Sequence, residues 1–229
     1  MRVLLFDIDG TLLSAGGAGR VALRKAVQTA FGHPAPNCQL QFAGRTDAEL
    51  LRKLLLQNQL PTTNANLQRL IRHYLRHLPG VLSACPGTLL PGVVALLEEL
   101  ADAEGVMIGC MTGNLAAAAQ IKLTHFGLWE SFFACGMLFG GDECHHREQL
   151  AETALRELVA RFADRPFDVW IIGDTPRDIE CARAIGARVL ACSTGEHSGE
   201  VLAAYDPDHL IDDFSRTADV VRLLVPGCL

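Results

Sequence analysis

The pattern of hydrophobic and polar positions differs before and after residue 90. Val3 to Asp9 is a continuous apolar run that ends in acid, which is typical of a strand buried on both faces of a parallel sheet. Thr46 and Glu49 have the spacing of a capping box, which marks the start of a helix. Three helical patterns follow the first strand: Arg20 to Phe31, Thr46 to Gln59 and Asn64 to His77.

Beyond residue 90, apolar strand-like runs alternate with helical patterns. The predicted strands are Val106 to Met111, Phe132 to Leu138, Val169 to Ile172, Val189 to Cys192 and His209 to Ile211. The predicted helices are Gly92 to Ala101, Leu115 to Phe126, Gln149 to Phe162 and Asp178 to Ile185. Strands that alternate with helices in this way indicate a parallel α/β sheet.

The first strand has to join that sheet, because a lone strand cannot bury both of its faces. The sequence therefore predicts an α/β core made of residues 1–14 and 84–229 and interrupted by a helical insert, residues 15–83. Small residues from Ser14 to Gly19, and prolines and glycines from Leu78 to Pro91, predict the two connections between core and insert.

Composition and charge narrow the class of protein. Of 229 residues, 49% are apolar and 20% are charged, which excludes a disordered chain. A net charge of -6 argues against nucleic acid or an anionic membrane as a partner. The sequence shows no signal peptide and no apolar run long enough to span a membrane. Eight cysteines without a C-x-x-C pair indicate reduced, mostly buried thiols, so we expect a cytoplasmic protein.

Acidic and hydroxyl side chains stand where three of the predicted strands end. Asp7 and Asp9 end the strand that begins at Val3. Thr112 follows the strand that ends at Met111, and Asp174 and Asp178 follow the strand that ends at Ile172. Ligands bind at the carboxyl ends of strands in an open parallel sheet, so these groups should share one site. Carboxylates this close repel one another, and we therefore expect a divalent cation among them. All-oxygen ligands favour Mg²⁺.

The residue types at this edge point to phosphoryl transfer. Asp7 and Asp9 are two positions apart and share a face of an extended chain, so one can attack while the other handles a proton. Thr112 precedes a helix, where its hydroxyl and the amides of Gly113 and Asn114 can bind an anion. A carboxylate nucleophile, a metal and an anion site together favour phosphoryl transfer.

These motifs resemble those of the haloacid dehalogenase superfamily. Asp7 to Thr11, with the sequence Asp-Ile-Asp-Gly-Thr, is similar to its first motif. Met111 to Asn114 and Gly173 to Asp178 are similar to its second and fourth motifs, and the insert resembles its C1-type helical cap. Order and spacing agree over nearly the whole chain. The resemblance implies a Rossmann-like core, dependence on Mg²⁺ and an aspartyl-phosphate intermediate.

The same resemblance implies a role for each motif residue. Asp7 is then the nucleophile and a metal ligand, and Asp9 is the general acid and base whose backbone carbonyl also binds the metal. Thr112 binds the transferring phosphoryl group. Asp174 binds Mg²⁺ directly, and Asp178 supports the metal either directly or through its neighbours.

The third motif departs from the family pattern. Most relatives have a lysine before the helix that precedes the fourth motif, but the lysines of this chain lie elsewhere, at Lys25, Lys53 and Lys122. Arg147 is the best cation at the expected place, and His145 or His146 could contribute instead. An arginine can bridge the phosphoryl oxygens and the nucleophile with its two-pronged guanidinium group.

We therefore expect a Mg²⁺-dependent phosphatase that acts on a small phosphomonoester and is closest to the phosphoglycolate-phosphatase-like members. Gly113, Asn114 and, from the insert, Arg45 are the candidate substrate contacts. Three alternatives stay open: a phosphomutase, which shares every core residue; a phosphonate hydrolase, which uses a lysine of the insert; and a binding protein built on an inactive core. The sequence leaves the oligomeric state open.

Overall fold

The computed structural model describes residues 1–133, 137–142, 144, 146–163, 165–225 and 227. Within them the strands are β1 (Arg2–Phe6), β2 (Leu13–Ser14), β3 (Thr88–Leu89), β4 (Val106–Met111), β5 (Leu138–Phe139), β6 (Asp168–Gly173), β7 (Arg188–Cys192) and β8 (His209–Ile211). The helices are α1 (Ala18–Phe31), α2 (Asp47–Gln57), α3 (Asn64–Leu82), α4 (Val93–Ala101), α5 (Ala116–His125), α6 (Arg147–Arg161), α7 (Pro176–Ala184), α8 (Gly199–Ala203) and α9 (Thr217–Leu224).

Six of the strands form one parallel sheet in the order β5-β4-β1-β6-β7-β8. The central strand β1 is buried on both faces, as its unbroken apolar sequence predicts. Leu4 and Phe6 pack into the core layer that contains α4, α5 and α9, while Val3 and Leu5 pack into the layer of α6 and α7. Successive side chains of a strand point to opposite faces, which explains this division. The predicted parallel α/β core is confirmed.

The three insert helices lie between β2 and β3, which pair antiparallel through Leu13 and Leu89. Helices α1 and α3 pack closely, and α1 contributes small side chains such as Ala22 and Ala26 to the same buried core as Leu70 and Tyr74 of α3. The chain thus enters and leaves the insert through one two-stranded element. The boundaries of the insert at residues 15 and 83 stay a prediction.

One predicted strand begins too early in the sequence. The apolar run from Phe132 to Leu138 starts in a π-helical turn, Trp129–Phe133, and among the described residues Leu138–Phe139 forms the strand that pairs with β4. A short apolar run buries equally well as a strand or as a helical turn, so periodicity alone cannot separate the two. Residues 134–136 lie outside the described residues.

The two predicted connections are shorter than the sequence suggests. Helix α3 continues through Pro79 to Leu82, because Leu78, Val81 and Leu82 extend its buried face. At the other connection, Gly19 lies in the first turn of α1, while Gly16 and Gly17 before the helix adopt positive φ angles.

The described cysteines form no disulfide, and three of them are fully buried. The six are Cys38, Cys85, Cys110, Cys144, Cys181 and Cys192. Cys135 and Cys228 lie outside the described residues. Among the described helices, none combines the length and the apolar character needed to cross a bilayer.

Gly92 precedes α4 and Gly105 lies between α4 and β4; both adopt a left-handed conformation, with φ of +77° and +76°. They differ in their surroundings. A Cβ atom at Gly92 would overlap the backbone carbonyl of Phe214, whereas a Cβ at Gly105 would meet nothing within 4 Å.

We expect Gly105→Ala to lower the free energy of unfolding by about 1–2 kcal/mol, which is the cost of placing a side chain in the left-handed region. Gly92→Ala should cost a further ~1–3 kcal/mol because the backbone around Phe214 must also move. Urea unfolding of the two variants measures the difference. Equal losses of unfolding free energy would show that the backbone around Phe214 can move without an energetic cost.

Candidate active site

Three buried carboxylates meet at the carboxyl end of the sheet. Asp7 follows β1, and Asp174 and Asp178 follow β6; these strands are neighbours, with Phe6 opposite Ile172. Oxygen atoms of the three carboxylates lie within 4.8 Å of one another. The parallel register of β1 and β6 therefore brings together residues that are far apart in the sequence.

Arg147 supplies the buried positive charge in this cluster. It is the first residue of α6, and its Nη2 atom lies 3.0 Å from Asp7 Oδ2 and 2.6 Å from Asp178 Oδ1. Burial alone would lower its pKa, but the charges of Asp178 and Asp7 raise that pKa above its ordinary value. Its Nε–H has no hydrogen-bond partner among the described residues. His146 is exposed, and His145 lies outside the described residues.

Both oxygens of Asp178 already have protein partners. Oδ1 faces Arg147, and Oδ2 accepts hydrogen bonds from the backbone N–H and the hydroxyl of Thr175, at 3.0 and 2.7 Å. The Thr175 contacts form a capping box that starts α7. Asp178 therefore fixes the loop after β6 and orients Arg147.

Asp174 keeps one oxygen available. Its Oδ1 accepts a hydrogen bond from the Thr11 hydroxyl at 3.0 Å. The carboxylate fits so closely between Gly10 and Gly195 that a Cβ atom on either glycine would overlap Asp174 Oδ2. The Thr194 hydroxyl donates to the Gly10 carbonyl and joins these two loops.

Burial changes the protonation of these acids. It is the largest cause that raises the pKa of Asp7, which reaches about 6 although Arg147 acts in the opposite direction. Burial also raises the pKa of Asp174 well above its usual range, and Asp178 and Asp7 add to that effect. The buried cluster contains three carboxyl groups and one guanidinium group, so ionising all three acids would leave it with an excess of negative charge.

Asp9 points away from the buried cluster and is 40% exposed. Asn114 Nδ2 donates to Asp9 Oδ2 and to Thr112 Oγ1, both at 2.8 Å. The buried Lys122 ammonium lies against Asp9 Oδ2 and donates to Asn114 Oδ1 at 2.7 Å. Thr112, Asn114 and Lys122 thus form one polar network with Asp9.

The start of α2 rests on the loop after β4. The backbone N–H of Asp47 donates to the Gly113 carbonyl at 2.6 Å, and Asp47 Oδ2 accepts from the Leu115 N–H at 2.8 Å. Asp47 is buried, and burial raises its pKa to about 6 although the charge of Lys122 lowers it. A side chain at Gly113 would overlap the Arg45 carbonyl.

Only half of the predicted capping box forms at α2. Thr46 Oγ1 accepts from the Glu49 N–H at 3.3 Å, as expected. The Glu49 carboxylate does not return to the Thr46 backbone; it pairs with Arg45 and, at 2.6 Å, with Lys53. Two nearby cations attract this carboxylate more strongly than a single amide would.

A cavity of about 420 Å³ lies between the sheet edge and the insert. Every candidate site residue except Asp178 lines it: Asp7, Asp9, Arg45, Thr112, Gly113, Asn114, Arg147 and Asp174. Several further residues line the cavity without belonging to any of the sequence motifs: Arg20, Asp47, Tyr74, Lys122, Thr194 and Gly195. A signal was present for Lys122, which is the one charged residue in the alanine-rich stretch from Leu115 to Leu123.

Comparison with known proteins identifies the same family that the sequence motifs resemble. Residues 4–192 match the model of the haloacid dehalogenase-like hydrolases. A phosphoglycolate phosphatase from Synechococcus elongatus is 29% identical over 98% of this chain and 99% of its own length. The probable phosphatase IndB from Dickeya dadantii is 25% identical over 97% and 94%, respectively.

Two solved structures show the same fold. A predicted phosphoglycolate phosphatase from Haemophilus somnus 129PT has a TM-score of 0.71 and 21% identity, covering 96% of this chain and 97% of its own. CbbY from Rhodobacter sphaeroides, crystallised with phosphate, has a TM-score of 0.68 and 17% identity, covering 93% and 94%. With the family model matched over most of the chain and the motif residues gathered on one cavity, this protein belongs to the haloacid dehalogenase-like hydrolases.

Proposed function

We propose that this protein is a Mg²⁺-dependent phosphatase that hydrolyses a small phosphomonoester through a phosphorylated Asp7. The observation that carries the proposal is the placement of Asp7, Asp9, Thr112, Arg147 and Asp174 on one cavity. Curated relatives named as phosphatases over nearly the full length support it.

The donor set fits a divalent cation. Asp7, Asp174 and Asp178 bring three buried carboxylates together, and Arg147 neutralises one of them. Asp7 and Asp174 would hold the ion with the backbone carbonyl of Asp9, while Asp178 would act through Arg147, because its own oxygens are engaged. When bound, Mg²⁺ supplies positive charge that stabilises the phosphoryl oxygens.

The first half-reaction transfers the phosphoryl group to Asp7. A carboxylate oxygen of Asp7 forms a bond to phosphorus, the bond to the leaving oxygen breaks, and Asp9 gives that oxygen a proton. Arg147 holds Asp7 through Nη2, and its Nε–H, which has no partner among the described residues, would donate to a phosphoryl oxygen. The buried Thr112 hydroxyl is a second donor at the same place.

The second half-reaction returns Asp7 to its starting state. Asp9, now a carboxylate, takes a proton from water while the water oxygen bonds to phosphorus. The bond between phosphorus and Asp7 then breaks and releases orthophosphate. One residue serves as acid and then as base, so the cycle consumes only water.

The insert favours a phosphatase over a phosphonate hydrolase. A hydrolase of that kind needs a lysine of the insert at the substrate, but neither Lys25 nor Lys53 lines the cavity. Lys53 pairs instead with Glu49. Arg20, Arg45 and Tyr74 make the insert wall polar, which suits a leaving group with its own carboxylate or hydroxyls.

We expect Asp7→Asn to lose nearly all turnover, because an amide oxygen cannot form the acyl phosphate. Asp9→Asn should retain a residual rate, reduced by ~10²–10⁴-fold. A panel of phosphomonoesters assayed with Mg²⁺ measures both, with the exposed Asp102→Asn as the matched control. Hydrolysis at the wild-type rate by pure Asp7→Asn protein would refute the proposed mechanism.

A second prediction concerns the metal. Gly195→Ala should displace the Asp174 carboxylate and weaken Mg²⁺ binding by at least tenfold. Gly199→Ala is its control, because a Cβ there would meet its nearest atom only at 3.8 Å. Calorimetric titration of both variants with Mg²⁺ measures the affinity without any turnover. Unchanged affinity in Gly195→Ala would exclude Asp174 as a ligand.

A third prediction tests Arg45 as a substrate contact. Arg45→Ala should lower kcat/KM roughly 10- to 150-fold for a carboxylate-bearing substrate such as 2-phosphoglycolate, the loss of one charge-assisted contact. It should barely affect p-nitrophenyl phosphate. Lys53→Ala is the control, because Lys53 also pairs with Glu49 but does not line the cavity. Equal losses on both substrates would mean that Arg45 only holds the insert together.

A further inference from the structure

The mechanism above gives no role to Lys122, although this lysine is 4% exposed and lies in the middle of the site. Its ammonium group contacts Asp9 Oδ2 and Asn114 Oδ1. Arg147 already occupies the place beside Asp7, so Lys122 does not supply the third-motif cation. A buried lysine needs a compensating partner, and this one has a carboxylate belonging to the site.

The hydrogen bonds to Asp9 are one-sided. Lys122 Nζ and Asn114 Nδ2 both donate to Oδ2. Among the described residues, no group donates to Oδ1. Because Asp9 is 40% exposed, its carboxylate would rotate without these two donors. Lys122 and Asn114 therefore fix Asp9 Oδ2 and leave Oδ1 to give or accept a proton.

We propose that Lys122 is a positioning residue that holds Asp9 by Oδ2 and presents Oδ1 to the leaving group, and that Asp47 of the insert completes this arrangement when α2 rests on the core. The inference rests on the proposed phosphatase function, in which Asp9 is the general acid and base.

The geometry serves both halves of the reaction. In the first, the proton on Asp9 Oδ1 passes to the leaving oxygen as its bond to phosphorus breaks. The negative charge that remains on Asp9 then lies against the Lys122 ammonium and the Asn114 amide. In the second, Oδ1 accepts a proton from the water that attacks the phosphorylated Asp7. Donors already in place spend no reorganisation energy when that charge develops.

Asp47 connects this network to the insert. Its backbone N–H and its Oδ2 contact the core loop at Gly113 and Leu115, so it reaches its position only with α2 seated there. There it lines the same cavity as Lys122. The insert holds one other carboxylate, Glu49, which pairs with Arg45 and Lys53. Seating α2 therefore places a second carboxyl group on the cavity that holds the lysine orienting Asp9.

The leaving group provides a selective test. p-Nitrophenolate leaves without a proton, whereas an alkoxide needs one. In single-turnover experiments, Lys122→Met should slow release of alcohol from the best alkyl phosphate of the panel by about 10²-fold or more, within the range of general acid catalysis. The burst of p-nitrophenolate from p-nitrophenyl phosphate should slow less than tenfold. KM should change less than threefold for either substrate.

Matched variants separate positioning from folding. Lys25→Met, an exposed lysine outside the cavity, should behave as wild type, and Lys122→Arg should recover part of the alkyl rate. Asp47→Asn keeps an acceptor for the Leu115 N–H and should show a milder loss of the same alkyl-selective kind. Combined with Lys122→Met it should add little, since both act through one network. If Lys122→Met does not fold, the alkyl-selective loss is measured in Lys122→Arg and Asp47→Asn instead, and its absence in both would refute the inference.

Two results would overturn the inference: equal slowing of both first turnovers, or an alkyl rate unchanged in Lys122→Met. If the losses caused by Asp47→Asn and Lys122→Met were fully additive in the double variant, Asp47 would have no part in positioning Asp9. A wild-type protein that hydrolyses none of the panel would refute the proposed phosphatase itself. That outcome is distinct, because the inference can fail while the wild type remains active.

Discussion

The site depends on one guanidinium buried among three carboxylates. Arg147 contacts Asp7 and Asp178 through a single nitrogen, and removal of one partner from such a buried pair typically costs 3–5 kcal/mol. The fold therefore cannot move α6 away from β1 and β6 without leaving buried charges unpaired. The two other acidic groups of the site, Asp7 and Asp174, are the ones proposed to hold a cation.

Glycines make this density of charge possible. Side chains at Gly10 and Gly195 would overlap the Asp174 carboxylate, and one at Gly173 would overlap that of Asp178. The backbone thus encloses the acids at distances that a Cβ atom would forbid. A carboxylate held in this way has few accessible rotamers, which lowers the entropic cost of holding the acids together.

The sequence predicts the strand ends well, because β1, β4 and β6 are apolar runs whose polar ends must meet at one sheet edge. Asp7, Asp174 and Arg147 follow from that reasoning together with the family motifs. Asp47 and Gly195 do not, since the start of α2 and the loop after β7 approach the site only in the folded chain. The start of the strand predicted from Phe132 is misplaced for a different reason: burial of an apolar run does not specify its backbone conformation.

Charge is divided unevenly between the insert and the core. This distribution matters because the protein is acidic overall while its proposed substrate is an anion. Residues 15–83 hold nine of the 20 Lys and Arg but only Asp47 and Glu49 among the 26 Asp and Glu. The core therefore carries the negative charge of the chain and the insert is strongly positive. A phosphomonoester meets repulsion from the core surface and attraction from the insert, so its approach is favoured from the insert side of the cavity. The helices of the insert that line the cavity thus offset the negative field of the core.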